Sequence, residues 1–153
     1  LEVNFQLSYK NKLIGNQNNK IDFQNNNLID VINSRTFCLF EDIEKIKKIG
    51  LAKGGSLENA IVVKNDEILN KGGLRNKKEF VNHKILDLAG DFLLSGYRVI
   101  GKVACHQGGH GLTNLFLRKI FNTNSAYEVI ELEELEISKK FLSKELEKIA
   151  VNA

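Results

Sequence analysis

The residues best suited to chemistry in this chain are His83, Asp87 and Asp91, spaced i, i+4, i+8 within the stretch 80–94. On a helix that spacing places them on one drifting stripe. A histidine and a carboxylate one turn apart converge over the same turn, and zinc accepts both an imidazole nitrogen and a carboxylate oxygen. A second histidine sits among glycines in Gly108-Gly109-His110-Gly111, where the backbone can approach a ligand closely. Imidazole titrates near neutral pH, so His110 can hand a proton to a leaving group or stabilise an anion, with Asp91 as the acid that orients it. The plainer alternatives are a solvated helix face with an internal His–Asp pair, and a loop histidine that satisfies backbone groups. His106 reads as a structural or exposed strand residue.

These side chains need a helix, a strand and a turn to hold them. Residues 80–94 supply the helix, with a capping-box start at Asn76 and Glu79 and a stop at Ser95-Gly96. Val81, Ile85, Leu88, Ala89 and Phe92 share its core-facing side, roughly opposite the ionisable stripe. Leu86 and Leu94 flank that stripe. A solvent-facing surface does not require such flanks, so the helix is expected to be covered on both sides. Residues 97–107 alternate, with Val99, Val103 and Cys105 against Arg98, Lys102 and His106, and read as a long strand ending at the glycines before His110. Leu112, Leu115, Phe116, Lys119 and Ile120 mark the next helix.

Upstream, residues 1–9 alternate as a half-buried strand with Val3, Phe5 and Leu7 on one face. Residues 11–19 read as a turn region whose asparagines are loop filler, and Ile21-Asp22-Phe23 as a second strand, closing a long-looped hairpin. A short helix is expected at 28–32. A strand within 34–40, an amphipathic helix at 41–49 closed by Gly50, and a strand at 60–63 make a strand–helix–strand unit over about 36–63. Gly54-Gly55-Ser56 has the composition to cradle a phosphate, without the Lys-Ser/Thr of a P-loop. Residues 66–76 read as a loop, 127–137 as a strand or strand edge, and Phe141, Leu142, Leu146 and Ile149 as a final amphipathic helix. This order predicts an α+β fold, a two-layer mixed sheet packed with helices, plus a small strand–helix–strand insert.

At 153 residues the chain is long enough for one domain or one half of a larger protein. A hydrophobic share of 42% and a charged share of 27% are globular rather than disordered. The net charge of +3 is too small to argue for nucleic acid or an anionic membrane surface. The sequence shows no apolar run long enough to span a bilayer and no signal peptide. Cys38 and Cys105 are expected as reduced thiols of a cytoplasmic protein. A chain that opens on Leu1 and contains no Met is expected to be processed or cut from a longer protein.

Several further motifs share one order and spacing. They are Ser34-Arg35-Thr36-Phe37, Gly50-Leu51-Ala52-Lys53-Gly54-Gly55-Ser56, Asn59-Ala60-Ile61-Val62-Val63, Gly73-Leu74-Arg75, residues 80–87 with Gly90-Asp91, and Gly109-His110-Gly111-Leu112-Thr113-Asn114. Together they resemble the zinc-dependent UDP-3-O-acyl-N-acetylglucosamine deacetylases of lipid A biosynthesis. The resemblance is specific from Ser34 to Asn114 and looser at both ends. It implies that residues 1–153 are the second of that family's two similar α+β domains, with the first domain absent. It implies that the unit at 36–63 is the insert that forms a hydrophobic passage for the acyl chain of the substrate.

The resemblance also implies roles. His83 and Asp87 match two of the three protein ligands of the zinc cofactor. Asp91 and His110 match the acid–histidine pair that protonates the leaving amine or stabilises charge. Thr36 matches the hydroxyl that meets the developing oxyanion. Lys84 matches a lysine that contacts polar groups of the substrate. Phe37, Ile43, Ala52, Gly55, Ser56, Ala60 and Val62 match positions that bind the acyl chain. Gln107 stands where a lysine is common. The family's third zinc ligand, a histidine, and the adjacent general-base glutamate belong to the first domain, and no His-Glu pair occurs in this chain. A catalytic zinc needs about three protein ligands, so the piece alone is expected to be inactive. The implied partners are UDP-3-O-acyl-N-acetylglucosamine and the first domain of the same enzyme, in a cytoplasmic protein that is monomeric at full length and binds no nucleic acid. The alternative is a non-catalytic acyl-chain-binding module.

Overall fold

The computed structural model describes residues 1–131. Leu1–Arg118 form one compact unit, and residues from Lys119 onward belong to a second. The elements run β1 (Glu2–Ser8), β2 (Asn16–Asp22), α1 (Ile29–Ile32), β3 (Thr36–Leu39), α2 (Ile43–Lys48), β4 (Ala60–Lys64), β5 (Glu67–Ile68), α3 (Glu79–Leu93), β6 (Lys102–His106) and α4 (His110–Phe121), with one 3-10 turn, Phe40–Asp42, before α2.

Alternation along β1 buries Val3, Phe5 and Leu7 and leaves Asn4, Gln6 and Ser8 exposed. That strand is the centre of the first sheet, ordered β2-β1-β6. It runs antiparallel to β2, from Glu2↔Asp22 to Ser8↔Asn16, and parallel to β6, from Glu2↔Lys102 to Gln6↔His106. Helix α3 packs on β1 and β2 and brings Phe80, Val81, Ile85, Leu88 and Phe92 to the core. The second sheet, β3-β4-β5, pairs β3 parallel to β4 and β4 antiparallel to β5. The result is the expected α+β architecture, with the insert forming a separate small sheet.

Four local expectations change. The asparagine-rich stretch from Asn16 is strand β2, not loop, and the turn is confined to 9–15. Polar residues suffice there because β2 is an edge strand. Its inward side chains meet polar groups of α3: Asn19 Nδ2 donates to Asn82 Oδ1 at 2.7 Å, and Lys78 Nζ donates to Asn19 Oδ1 at 2.9 Å. Strand β6 begins at Lys102 rather than at Tyr97. Within the expected loop 66–76, Glu67–Ile68 form the short strand β5. The capping box is absent. Asn76 Oδ1 accepts the Lys78 N–H at 3.0 Å, and Glu79 reaches back past Asn76 to accept the Arg75 N–H instead. Residues 127–131 carry no regular secondary structure, and the rest of the strand expected at 127–137, like the final helix, lies outside the described residues.

Glu79 is fully buried. Arg35 Nε donates to its Oε1 at 2.8 Å, the Arg35 N–H to the same oxygen at 3.1 Å, and the Arg75 N–H to Oε2 at 2.6 Å. Arg35 Nη2 also reaches the Gly73 carbonyl at 2.8 Å. Burial pushes the Glu79 pKa up, but these donors outweigh it and hold the carboxyl below its ordinary range. The pair's contribution is therefore present above the unfolded-state value of about 4.3 and is lost as pH falls through the lower folded value. Arg35→Met should destabilise the protein by about 3–5 kcal/mol at pH 7, because it leaves a buried charge unpaired. Urea titrations from pH 7 down to pH 3 should show the gap to wild type closing in the acid range. A gap that stays constant would show that the Glu79 charge plays no part.

Candidate active site

Helix α3 presents His83, Asp87 and Asp91 on successive turns, and their side chains are only 16%, 17% and 14% exposed. A solvated stripe would be far more open, so the plain surface reading fails. His83 Nδ1 lies 3.3 Å from the Ser34 carbonyl and Nε2 3.3 Å from Asp87 Oδ1, and with its proton on Nδ1 the neutral ring donates to the carbonyl. The Nε2 lone pair is then left facing Asp87 Oδ1 at 3.3 Å. Burial lowers the His83 pKa, with Lys84 and His110 acting in the same direction against the pull of Asp87 and the Ser34 carbonyl. The ring is held in the neutral form that ligates metals.

In that tautomer Nε2 and Oδ1 face each other as two acceptors, an arrangement that a cation between them satisfies. Donors on one tetrahedral zinc, bound at about 2.0–2.1 Å, lie about 3.3 Å apart, which matches the separation of Nε2 and Oδ1. The carbonyl behind Nδ1 is the outer-shell partner that fixes a ligating imidazole. These two residues therefore fit as half of a zinc site. Among the described residues no third His, Cys, Asp or Glu joins them. Lys84 Nζ donates to the other oxygen, Asp87 Oδ2, at 2.8 Å and neutralises it.

One turn on, Asp91 accepts the His110 Nδ1–H, with the nitrogen 2.8 and 3.0 Å from its two oxygens. His110 is the first residue of α4 rather than a loop residue, and its side chain is 70% exposed. Its Nε2 is thus free to exchange protons while Nδ1 is anchored. Lys84, Asp87, Asp91, Gly108 and Gly109 close around one point too tight to admit water, so the two clusters adjoin.

The insert encloses a second feature, a cavity of about 710 Å³. Phe37, Ile43, Ala52, Gly55, Ser56, Ala60 and Val62 all line it, as does Thr36 at the start of β3. The Thr36 side chain makes no hydrogen bond among the described residues. Phe37 connects cavity and helix, with its ring edge-on to Phe80 at 5.0 Å and to His83 at 6.4 Å between centroids. The Gly54-Gly55-Ser56 loop is not a phosphate cradle. Its Ser56 N–H donates to Asn59 Oδ1 at 2.9 Å and its Gly55 N–H to the Ala52 carbonyl at 3.0 Å, so those donors are used internally. Cys38, on the cavity wall, and Cys105 are both free, and burial raises both thiol pKa values.

Sequence reasoning missed Asn70. This buried amide accepts the Val62 N–H at 2.9 Å and donates to the Leu57 and Ala60 carbonyls at 2.5 and 2.7 Å, so it shapes the cavity wall. It also missed the Arg35–Glu79 pair. Arg35 stands in a motif and Glu79 in an expected helix cap, but no local pattern marks Asn70 or joins two residues 44 positions apart.

Residues 1–122 match the family described as LpxC: UDP-3-O-acyl N-acetylglycosamine deacetylase. Proteins named UDP-3-O-acyl-N-acetylglucosamine deacetylase are similar to this chain. The protein from Campylobacter jejuni subsp. doylei is 41% identical over 133 residues, covering 86% of this chain and 45% of its own length. That from Campylobacter lari is 42% identical over 133 residues with the same coverage, and that from Hahella chejuensis 40% over 136 residues, covering 87% and 45%. The chain thus spans about half the length of the curated relatives it matches.

An apolar cavity of this size can hold a hydrocarbon chain, at about 0.8 kcal/mol per buried CH₂. Ala60→Phe should fill it. Titration with a fluorescent long-chain fatty acid should show binding to wild type and at least a tenfold loss in the variant, with a short-chain analogue little changed and the circular dichroism spectrum retained. Equal losses for both probes, or unfolding, would make Ala60 a core residue.

Proposed function

We propose, from the premise that this chain belongs to the UDP-3-O-acyl N-acetylglycosamine deacetylase family, that it is the second domain of a zinc-dependent amidohydrolase of lipid A biosynthesis. The reaction removes the N-acetyl group of UDP-3-O-acyl-N-acetylglucosamine. The observation that carries the reading is the pairing on α3 of a neutral, carbonyl-anchored His83 with Asp87, one turn from an Asp91–His110 couple. A first domain supplies the third zinc ligand and the general-base glutamate. Support for a covering half comes from Leu93, Leu94, Leu112 and Leu115, which stand exposed where α3 ends and α4 begins. The free thiols fit a reducing, cytoplasmic setting. No helix of the described residues is long and apolar enough to cross a membrane.

Zinc, when bound, polarises the acetyl carbonyl and acidifies water. The residues of this chain do the rest. His83 and Asp87 hold the ion. Thr36 donates its hydroxyl to the carbonyl oxygen as negative charge develops there. His110, steadied at Nδ1 by Asp91, takes up a proton at Nε2 and delivers it to the amine as the C–N bond breaks. Lys84 holds one oxygen of Asp87 and faces polar groups of the substrate. The 3-O-acyl chain lies in the cavity of the insert, which anchors the sugar and fixes the amide over the two clusters.

Metal analysis after dialysis separates the parts. The 153-residue chain alone should retain little zinc, since it brings two ligands. Joined to its first domain it should hold one equivalent, lost in His83→Ala. Stoichiometric zinc on the chain alone would overturn the division of ligands. In the joined protein, His110→Ala should lower turnover by about 10²–10⁴-fold and leave zinc in place, with Asp91→Asn following in part. Loss of zinc in His110→Ala would reassign that residue as a ligand. Tight acyl binding with no turnover in any form would favour a non-catalytic acyl-chain-binding module.

A further inference from the structure

Gln107 adopts φ +56°, in the left-handed region that non-glycine residues rarely enter. Its side chain accounts for the conformation. Oε1 accepts the Ser8 N–H at 2.5 Å, and Nε2 donates to the Ser8 carbonyl at 2.5 Å. Its own N–H donates to the Gln6 carbonyl at 3.0 Å. The amide thus does for Ser8 what the backbone of one further β6 residue would do, after the backbone itself has turned away. The turn is held on its other side as well. A Cβ at Gly108 would run into Cys105 Sγ and the Phe5 ring. Gly109 accepts the Thr113 N–H at 3.0 Å and the Thr113 hydroxyl at 3.2 Å, and Thr113 is buried. His110 follows at once, its Nδ1 on Asp91.

We propose that Gln107 is a positioning residue, whose clamp on the Ser8 backbone fixes the β6–α4 turn and so holds His110 in the Nδ1–H tautomer against Asp91. The proposal rests on the reading above only for the consequence in turnover. The clamp itself has no need of metal or substrate. Charge plays little part in it, since a neutral amide meets a neutral peptide group. Lysine or alanine at this position would leave both Ser8 groups to water. Glutamate would keep the acceptor and set its second oxygen against the Ser8 carbonyl.

Gln107→Gly is the informative variant, because glycine accepts the backbone conformation and removes only the clamp. The full 153-residue chain, ¹⁵N-labelled at histidine, should show His110 almost wholly as the Nδ1–H tautomer in wild type at pH 8. In Gln107→Gly it should move toward a mixture, while His83 signals stay in place as an internal control. In wild type the Ser8 amide should exchange with solvent at least tenfold more slowly than in the variant. In the protein joined to its first domain, the variant should lower kcat by between about 10- and 100-fold, as for a displaced catalytic group, with KM within about twofold. An unchanged His110 tautomer or a rapidly exchanging wild-type Ser8 amide would overturn the clamp. A raised KM at constant kcat would make Gln107 a substrate contact instead. A joined wild-type protein without deacetylase activity, but with the tautomer shift intact, would refute the functional reading and leave the clamp standing.

Discussion

The ion pair between Arg35 and Glu79 is the constraint on which the rest of the site depends. It is buried at the point where the first strand of the insert meets the first turn of α3. Arg35 lies between Ser34, whose carbonyl faces His83, and Thr36, which lines the cavity. Glu79 lies one helical turn before His83. A single salt bridge therefore sets the helix face that carries His83 and Asp87 against the strand that begins the cavity wall. The Gly73 carbonyl and the Arg75 N–H complete its hydrogen bonding, which recruits the loop before α3 to the same point. A buried pair is weak evidence for net stability, since apolar residues of similar volume often do as well. Its value here is geometric, because two charges with satisfied partners accept one arrangement.

Helix α3 then divides its labour by turn. Its inward side, Val81, Ile85, Leu88 and Phe92, closes the core against β1 and β2. On the other side, each turn has a different electrostatic environment. Burial keeps His83 neutral, Lys84 neutralises one oxygen of Asp87, and Asp91 grips an exposed imidazole from α4. Three turns of α3 therefore carry a His83–Asp87 pair and the carboxylate that holds His110 of α4, each in its own electrostatic setting. The difference comes from what faces each residue and not from the residues themselves.

The cavity depends on another kind of economy. Small side chains at Ala52, Gly55, Ser56 and Ala60 leave room, while Phe37, Ile43 and Val62 supply apolar walls. Behind that wall Asn70 bonds three backbone groups of the β4 region. The space is thus backed by hydrogen bonds behind the wall rather than filled by bulk within it.

Sequence alone determined the features that are local. The 3.6-residue period drew α3 and its buried face, alternation drew β1, glycines marked the ends of α2 and α3, and the i, i+4, i+8 spacing singled out His83, Asp87 and Asp91. Motifs in order placed His110, Thr36 and the cavity residues within a family pattern. Tertiary structure alone decided what joins distant parts of the chain. It paired Arg35 with a helix residue 44 positions away and Gln107 with a serine 99 positions away. It also made an edge strand of asparagines that resemble loop filler, because β1 offers them partners and α3 offers them polar contacts. Periodicity belongs to a segment and can be read from it. A hydrogen bond or ion pair across the fold exists only where the packed chain returns to itself, and no single segment carries that information.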